Sequence, residues 1–588
     1  MASRIGHETI ATEGIVKQFG LLLLLLPCIA FGRTHYVTTT GTLTSGNAST
    51  VDSAWTLGYA LGSQNSANGT ADTIFIEGGR YDVKALGSFY PAGVQMRVHG
   101  SPTAQLVIRG ELVRGIPATF ITENDSVHGL ICALGGYVTY QDLVLENTFA
   151  NVNPSHYGGS LFTPGNNDGI PIPGLRLINV VARDAMVTGF ADNSEGVGIR
   201  YEWCMAYYNG KKVDNSNFGY GLYGQNGLRG GYKHYIDNIL WDNWGRNTQM
   251  YGSSATHVDS IHYSNCTFFQ YPNTTDANCM VDMTDGDGTL DDAILDSCYF
   301  WTESVNGWGR TWRESNATAR AKYRGNWMVK GTMYGSPNSV ARVMTGNRYW
   351  GPASPDNIST SAYPDNVWSV GGGDLTNAPM PAWADTCILR VSPYHSGLGH
   401  LIVYNRTGGA SKAWNPSGFV SAGDSLLLYD VQNLFGGPVL AVKYAGGAVN
   451  FPMNLTAIEQ PICKPAAKGT LSHTDSRFGA FLLYAVRGSA PAEPPPVVIP
   501  PPPSVPAPVI TKEPASVTKS IQTTFSVSAT GTGKKYQWQR NGASIPGATE
   551  ASYSTGPLTL ADNGAQFRCI VTNAGGSDTS AVAVLTVK

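Results

Sequence analysis

The apolar and polar positions of residues 34 to about 380 recur with an uneven period. Seven pentapeptides align as rungs: ENTFA (from Glu146), INVVA (Ile178), EWCMA (Glu202), DNILW (Asp237), SNCTF (Ser264), DSCYF (Asp296) and GNRYW (Gly346). Most steps between them are roughly 25 to 35 residues, the size of one unit of a solenoid. The last step is longer and holds either a loop or a missed rung. Most rungs carry Asn or Ser in second place, with Trp203 as the exception. The apolar runs are short and rich in β-branched and aromatic residues, and no helical period runs through them, so each predicts a strand. A parallel β-helix is the natural solution, its asparagines stacked at the turns and sharing amide hydrogen bonds along the axis. Cys204, Cys266 and Cys298 share the third place with Val180 and Ile239, although Thr148 and Arg348 also occupy it. That column is read as inward, and its cysteines as small buried hydrophobes.

The start of this region reads THYVTTTG, then SAWTLGYALG, then ADTIFIEGGRYD. It predicts a strand, a short amphipathic helix over Trp55–Leu61, and a strand carrying Asp72, Thr73, Ile74, Ile76, Gly79 and Tyr81. This resembles the opening of pectin-lyase-like right-handed β-helix proteins, where a capping helix and a GDTI-type strand begin the solenoid. Ala71 stands where that family has Gly. The resemblance implies a right-handed parallel β-helix over 33–384 and is weak for chemistry.

Residues 385–490 alternate differently, with regular turns and no rung motif. HLIVYNRTG and GDSLLLYDVQNLFGGPVL resemble the small β-sandwich appended to some bacterial β-helix proteins. Such a unit is expected to cap the open end of the solenoid, where strand edges would otherwise be exposed. Ten of the 18 residues of 491–508 are Pro, which makes this stretch a stiff polyproline spacer. The strands of 509–588 include YQWQRNG and ADNGAQFRC, and they resemble a bacterial immunoglobulin-like domain. Trp538 then corresponds to the buried tryptophan and Cys569 to one half of the intersheet disulfide. Phe525 or Val527 stands where the other cysteine would be, and Phe567 where the corner tyrosine would be, so neither device is expected. A spacer or anchor is the role this implies.

Composition supports the all-β reading. Charged residues make up 14% and 69 of the 588 residues are Gly, which suits short strands joined by many turns. The net charge of −3 gives no basic footprint, so nucleic acid is not an expected partner. The run LLLLLLPCIAF (Leu21–Phe31) is too short to span a bilayer. With small residues at Ala30 and Gly32, residues 1–32 read as a secretory signal. No transmembrane segment follows, and a secreted or cell-surface monomer is expected. The eight cysteines beyond the signal form no CxxC pair, which argues against a zinc ribbon.

Candidate chemistry concentrates between Asp192 and Asp259. GYGLYGQN (Gly219–Asn226) and QMYGSS (Gln249–Ser254) align with Leu222 over Met250 and Tyr223 over Tyr251. If the aliphatic pair faces inward, the tyrosines face outward on neighbouring coils. Tyr220, Tyr223 and Tyr251 would then stack on sugar rings, while Gln225 and Asn226 bond hydroxyls. The plain alternative is an aromatic ladder that only stabilises the sheet. A polysaccharide lyase needs a base and a cation beside a uronate, roles open to Lys233, His234, Arg246 and His257. A glycoside hydrolase needs two carboxyls, for which Asp192, Glu195, Glu202 and Asp259 are candidates. The acidic run DMTDGDGTLDDA gives either a metal-free turn or a calcium site, with Asp285, Asp287, Asp291 and Asp292 as the ligands. The reading is a secreted protein acting on an extended extracellular polysaccharide, as lyase or hydrolase. The alternative is a noncatalytic glycan-binding or adhesive surface protein.

Overall fold

The structure is a computed structural model. It describes residues 32–46, 48–62, 67–83, 94–110, 117–123, 130–149, 159–165, 172–192, 198–210, 219–226, 232–252, 260–269, 279–285, 293–302, 310–315, 321–335, 342–372, 375, 378–462, 471–487, 507–531, 534–573 and 576–588. Among these, no helix is long and apolar enough to cross a membrane.

The described residues between 34 and 370 form a parallel β-helix of three sheets, here sheets A and B, in which 11 strands each are described, and sheet C, in which nine are. Each coil visits A, B and C in turn. One coil runs through Arg200–Glu202 (A), Met205–Tyr207 (B) and Tyr220–Gly224 (C), and the next begins with Lys233–Ile236 (A). All strand pairs within the three sheets are parallel, so inward side chains stack in columns. Tyr201, Tyr235 and Tyr263 form one such column, fully buried and in register.

The turn from A to B takes one or two residues, and its first residue has positive φ on coil after coil. The column contains Asp142 (57°), Asn179 (53°), Trp203 (62°), Asp237 (53°), Asn265 (57°), Ser297 (54°), Gly325 (60°) and Gly346 (64°). Asn, Asp and Gly tolerate this left-handed conformation; Trp203 is held there by burial and by the His400 ring 4.0 Å away. The following residue points inward, as Cys204, Asn238, Cys266, Cys298, Asn326 and Asn347 do, all at most 2% exposed. Burial raises the thiol of Cys204 to about 12, as expected of a packing residue. An amide ladder runs from Asn326 through Asn347 to Asn366, with bonds of 2.8 and 2.7 Å.

The rung frame read from the sequence holds at Ile178, Glu202, Ser264 and Asp296, which share one register column. It slips by one residue at Asp237 and Gly346, where Ile236 and Thr345 occupy that column. The first rung begins at Gln141 rather than Glu146, and the long last step conceals a rung at Arg324. Asparagine caused the slip, because it serves two columns. Asn265 takes the left-handed position, whereas Asn238 and Asn347 take the inward one beside it.

The 385–487 unit has a five-stranded antiparallel sheet, in the order Thr386–Val391, Leu398–Tyr404, Phe478–Val486, Ser425–Asp430, Leu440–Lys443. It does not cap the open end. It lies across the outer face of sheet B, where Trp203, Tyr207, Trp241, Phe269 and Trp301 pack with Ile402, Tyr404, Leu427 and Phe478. Trp301 stacks on Phe478 at 5.5 Å. An outer face this aromatic has to be covered, and the hydrophobic effect selects the side of the solenoid over its end. Polar clamps join the two units: Arg183 pairs with Glu459, Tyr207 Oη donates to Glu459 Oε2 (2.7 Å), and Arg390 donates to Tyr299 Oη (2.6 Å).

Two titratable groups at this interface have shifted pKa values. Burial raises Asp242 from 3.8 to about 8. Burial pulls His473 down, but its hydrogen bond to Asp430 (2.9 Å), the charges of Asp430 and Asp242 and a bond to the Thr474 backbone together raise it. Both groups bind protons more tightly when folded, so their contribution is full at low pH and is lost as pH rises through the folded pKa. Asp242→Asn is therefore expected to lose less stability than the parent between pH ~4 and ~8, followed by the denaturant midpoint. Parallel profiles would remove Asp242 from the linkage.

Residues 507–588 form a separate set of mainly antiparallel strands around the fully buried Trp538. Cys569 is buried and free, and Phe525 stacks on Phe567 at 4.6 Å.

Candidate functional site

The candidate site lies on the outer face of sheet C. Alternation along Tyr220–Gly224 and Arg246–Gly252 points Leu222 and Met250 inward (1% and 0% exposed) and leaves Tyr223 and Tyr251 half-buried on the outside. The register differs from the sequence alignment by two residues: Leu222 pairs with Thr248, Tyr223 with Gln249, and Gly224 with Met250. A slip of two preserves the face on which every side chain lies. Tyr251 is thus the diagonal neighbour of Tyr223, and the rings stack at 6.4 Å. Alternation breaks at Gly221, which faces the interior as Leu222 does, so the buried Tyr220 (4% exposed) lies beside Tyr223 with its ring 5.3 Å away. Gly221 makes room for the ladder behind, since a Cβ there would lie 2.6 Å from the Asn243 amide.

Beside the rings sits a buried charged cluster. Arg246 pairs with Asp282 (3.2 Å), and Gln249 Nε2 donates to the same carboxylate oxygen (3.1 Å). The Arg246 guanidinium also lies 5.8 Å from the Tyr220 ring centre, a cation–π distance. Asp282 pairs in register with Gln249, between the inward Val281 and Met283. Burial raises the Tyr223 phenol, Tyr220 and Tyr251 add to the effect, and Arg246 opposes it. At neutral pH Tyr223 is therefore a proton donor, and its hydroxyl donates to Gln225 Oε1 (3.1 Å).

The other residues read from the sequence lie elsewhere. Lys233 is inside the solenoid, 0% exposed, with Nζ bonded to Asp192 Oδ1 (2.7 Å), Asp192 O (3.1 Å) and Gln225 O (2.7 Å). Tyr235 Oη donates to the other oxygen of Asp192 (2.8 Å). Burial pulls Lys233 below the ordinary lysine range against the attraction of Asp192. Asn226 is buried. Glu202 and His234 lie on sheet A, not sheet C. Burial pushes Glu202 up, but hydrogen bonds from Arg200 and Arg176 hold it below the usual carboxylate range. His257, Asp259, Asp287, Asp291 and Asp292 lie outside the described residues, as does the side chain of Asp285. Among the described residues, no group of three or more His, Cys, Asp or Glu is placed to hold a metal ion.

No protein-family model matches the chain, and no curated protein matches it in sequence. Among solved structures it is similar to an I-band fragment of titin, at 27% identity over 14% of this chain and 32% of that one, TM-score 0.13. The chain thus spans about a third of that fragment. It is also similar to a GH136 lacto-N-biosidase from Eubacterium ramulus, at 11% identity over 58% of this chain and 67% of that one, TM-score 0.35. A third likeness is to a rhamnogalacturonan lyase, at 13% identity over 55% and 76%, TM-score 0.36. Scores this low carry no argument about activity, which rests on the geometry of the site.

Sequence reasoning named Arg246 and the tyrosines but missed Gln249 and Asp282. The signal was present in QMY and VDM, where Met250, Val281 and Met283 mark the inward phase and leave Gln249 and Asp282 outside.

Proposed function

We propose that the protein acts on an extended polysaccharide lying across the strands of sheet C, as a lyase that cleaves by β-elimination. The observation that carries this reading is the outward stack of Tyr223 and Tyr251, with the buried Tyr220 and the Arg246–Asp282 pair packed against it. Aromatic faces on two adjacent coils suit successive sugar rings. The Arg246 guanidinium is the group to neutralise a uronate carboxylate beside the proton that is lost. A phenol kept protonated, as Tyr223 is, suits proton delivery to the leaving oxygen. Hydrolysis calls for two carboxyls, and among the described side chains of this face Asp282 is the one carboxylate. His257 and Asp259, a few residues beyond Tyr251 in sequence, remain the candidates for the base. A secreted protein with a C-terminal Ig-like spacer fits this role.

The tyrosine cluster by itself also supports the second reading, a noncatalytic glycan binder. Incubating the protein with uronate-containing and neutral polysaccharides separates the two. New ultraviolet absorbance from an unsaturated product marks elimination, and reducing ends without it mark hydrolysis. Retention on a glycan gel with no product from a broad panel would sink the enzyme reading. Tyr223→Ala is expected to weaken polymer binding about tenfold without lowering the melting temperature, since its ring is outside the core. Unchanged binding would take Tyr223 out of the site.

A further inference from the structure

Sheet A presents a second organised outer face, on a different side of the solenoid from sheet C. Arg176, Arg200, His234 and His262 occupy one register column on four successive coils, about 4.8 Å apart. Glu202 lies beneath the two arginines, with its side chain only 2% exposed against 33% for Arg176 and 38% for Arg200. Arg176 Nε and Nη2 bond one carboxylate oxygen (3.2 and 2.6 Å), and Arg200 Nε and Nη2 bond the other (2.9 and 2.7 Å). Tyr394, from the sandwich, accepts from Arg176 Nη2 at 3.0 Å. Among the described residues nothing takes up Nη1 of either arginine. One buried carboxylate thus orients two guanidiniums and leaves one net positive charge facing outward.

The histidines extend this face into a ring platform. His234 and His262 meet edge to face at 5.3 Å, and Tyr232, half exposed at 50%, stacks on His234 (6.1 Å) and packs edge-on against His262 (5.1 Å). Tyr232 is exposed beside the two guanidiniums that converge on Glu202. Oriented guanidiniums recognise carboxylates, and exposed rings offer faces to sugars.

We propose that the outer face of sheet A is a second glycan-binding surface, taking an extended acidic polysaccharide whose carboxylates lie on Arg176 and Arg200 and whose rings rest on Tyr232, His234 and His262. This rests on the reading that the chain handles an extended glycan. A second contact along one polymer would raise the local substrate concentration at sheet C by avidity.

The test uses the full chain carrying Tyr223→Ala, so that sheet C contributes less, and polygalacturonate as the probe. Adding Arg200→Gln is expected to weaken binding about tenfold and to reduce its salt dependence. Tyr232→Ala, which touches no ion pair, should weaken it severalfold and guards against a folding defect in the first variant. Wild-type-like binding by both variants would overturn the proposal, as would failure to bind polygalacturonate at low salt. Equal binding of single-stranded nucleic acid would show charge attraction alone and overturn the glycan assignment. The sheet C reading fails separately, if Tyr223→Ala alone leaves both turnover and binding unchanged.

Discussion

Lys233→Met is expected to destabilise the protein by about 3–5 kcal/mol, read as a large drop in denaturant midpoint. Lys233 and Asp192 are both 0% exposed and bonded at 2.7 Å. Removing the ammonium leaves the Asp192 carboxylate inside the solenoid without its cation, while the Tyr235 hydroxyl still donates to its other oxygen. The cost comes mainly from that uncompensated charge, not from loss of an intrinsically strong attraction. Pairing the change with Asp192→Asn should therefore restore much of the lost stability, a non-additivity typical of groups in direct contact. Additive losses would show that Asp192 is not the partner that matters. Because the pair is internal, the double variant should also keep its glycan binding.

Arg246→Gln is expected to lower turnover on a uronate-containing polymer about 10²- to 10³-fold, the scale set by removing one preorganised charge stabiliser. KM should change less, because the tyrosines remain. The substitution also removes a partner from the buried Asp282, so stability must be tracked. Arg246→Gln with Asp282→Asn removes both charges and should recover stability but not turnover. Recovery of turnover in the double variant would show that Arg246 only neutralises Asp282 and takes no part in the chemistry.

The coil architecture could be read because period-two alternation and columns of Asn, Ser and Cys are local and repeated. The facing of Tyr223 and Tyr251 could be read for the same reason, and it survived a register error of two. What failed were choices that alternation does not constrain. The rung frame slipped where Asn238 and Asn347 were equated with Asn265, since one residue type meets two backbone requirements. Lys233 and Glu202 looked like surface chemistry because charged residues seldom occupy interiors. Lys233 meets Asp192 across 41 residues, and Glu202 meets Arg176 across 26 as well as Arg200 on its own strand; the distant partners come near only when successive coils stack.

The sequence by itself determined that the chain is a stack of short parallel strands, and that Leu222 and Met250 face in while Tyr223 and Tyr251 face out. That information lies in nearest-neighbour alternation and in turn residues suited to left-handed backbone. Only the tertiary structure decided which outward faces are covered and which charges meet. The sandwich buries the aromatic face of sheet B, and Arg246 meets Asp282 across adjacent coils. Register between coils is set by packing over the whole solenoid, and no stretch of one coil records it.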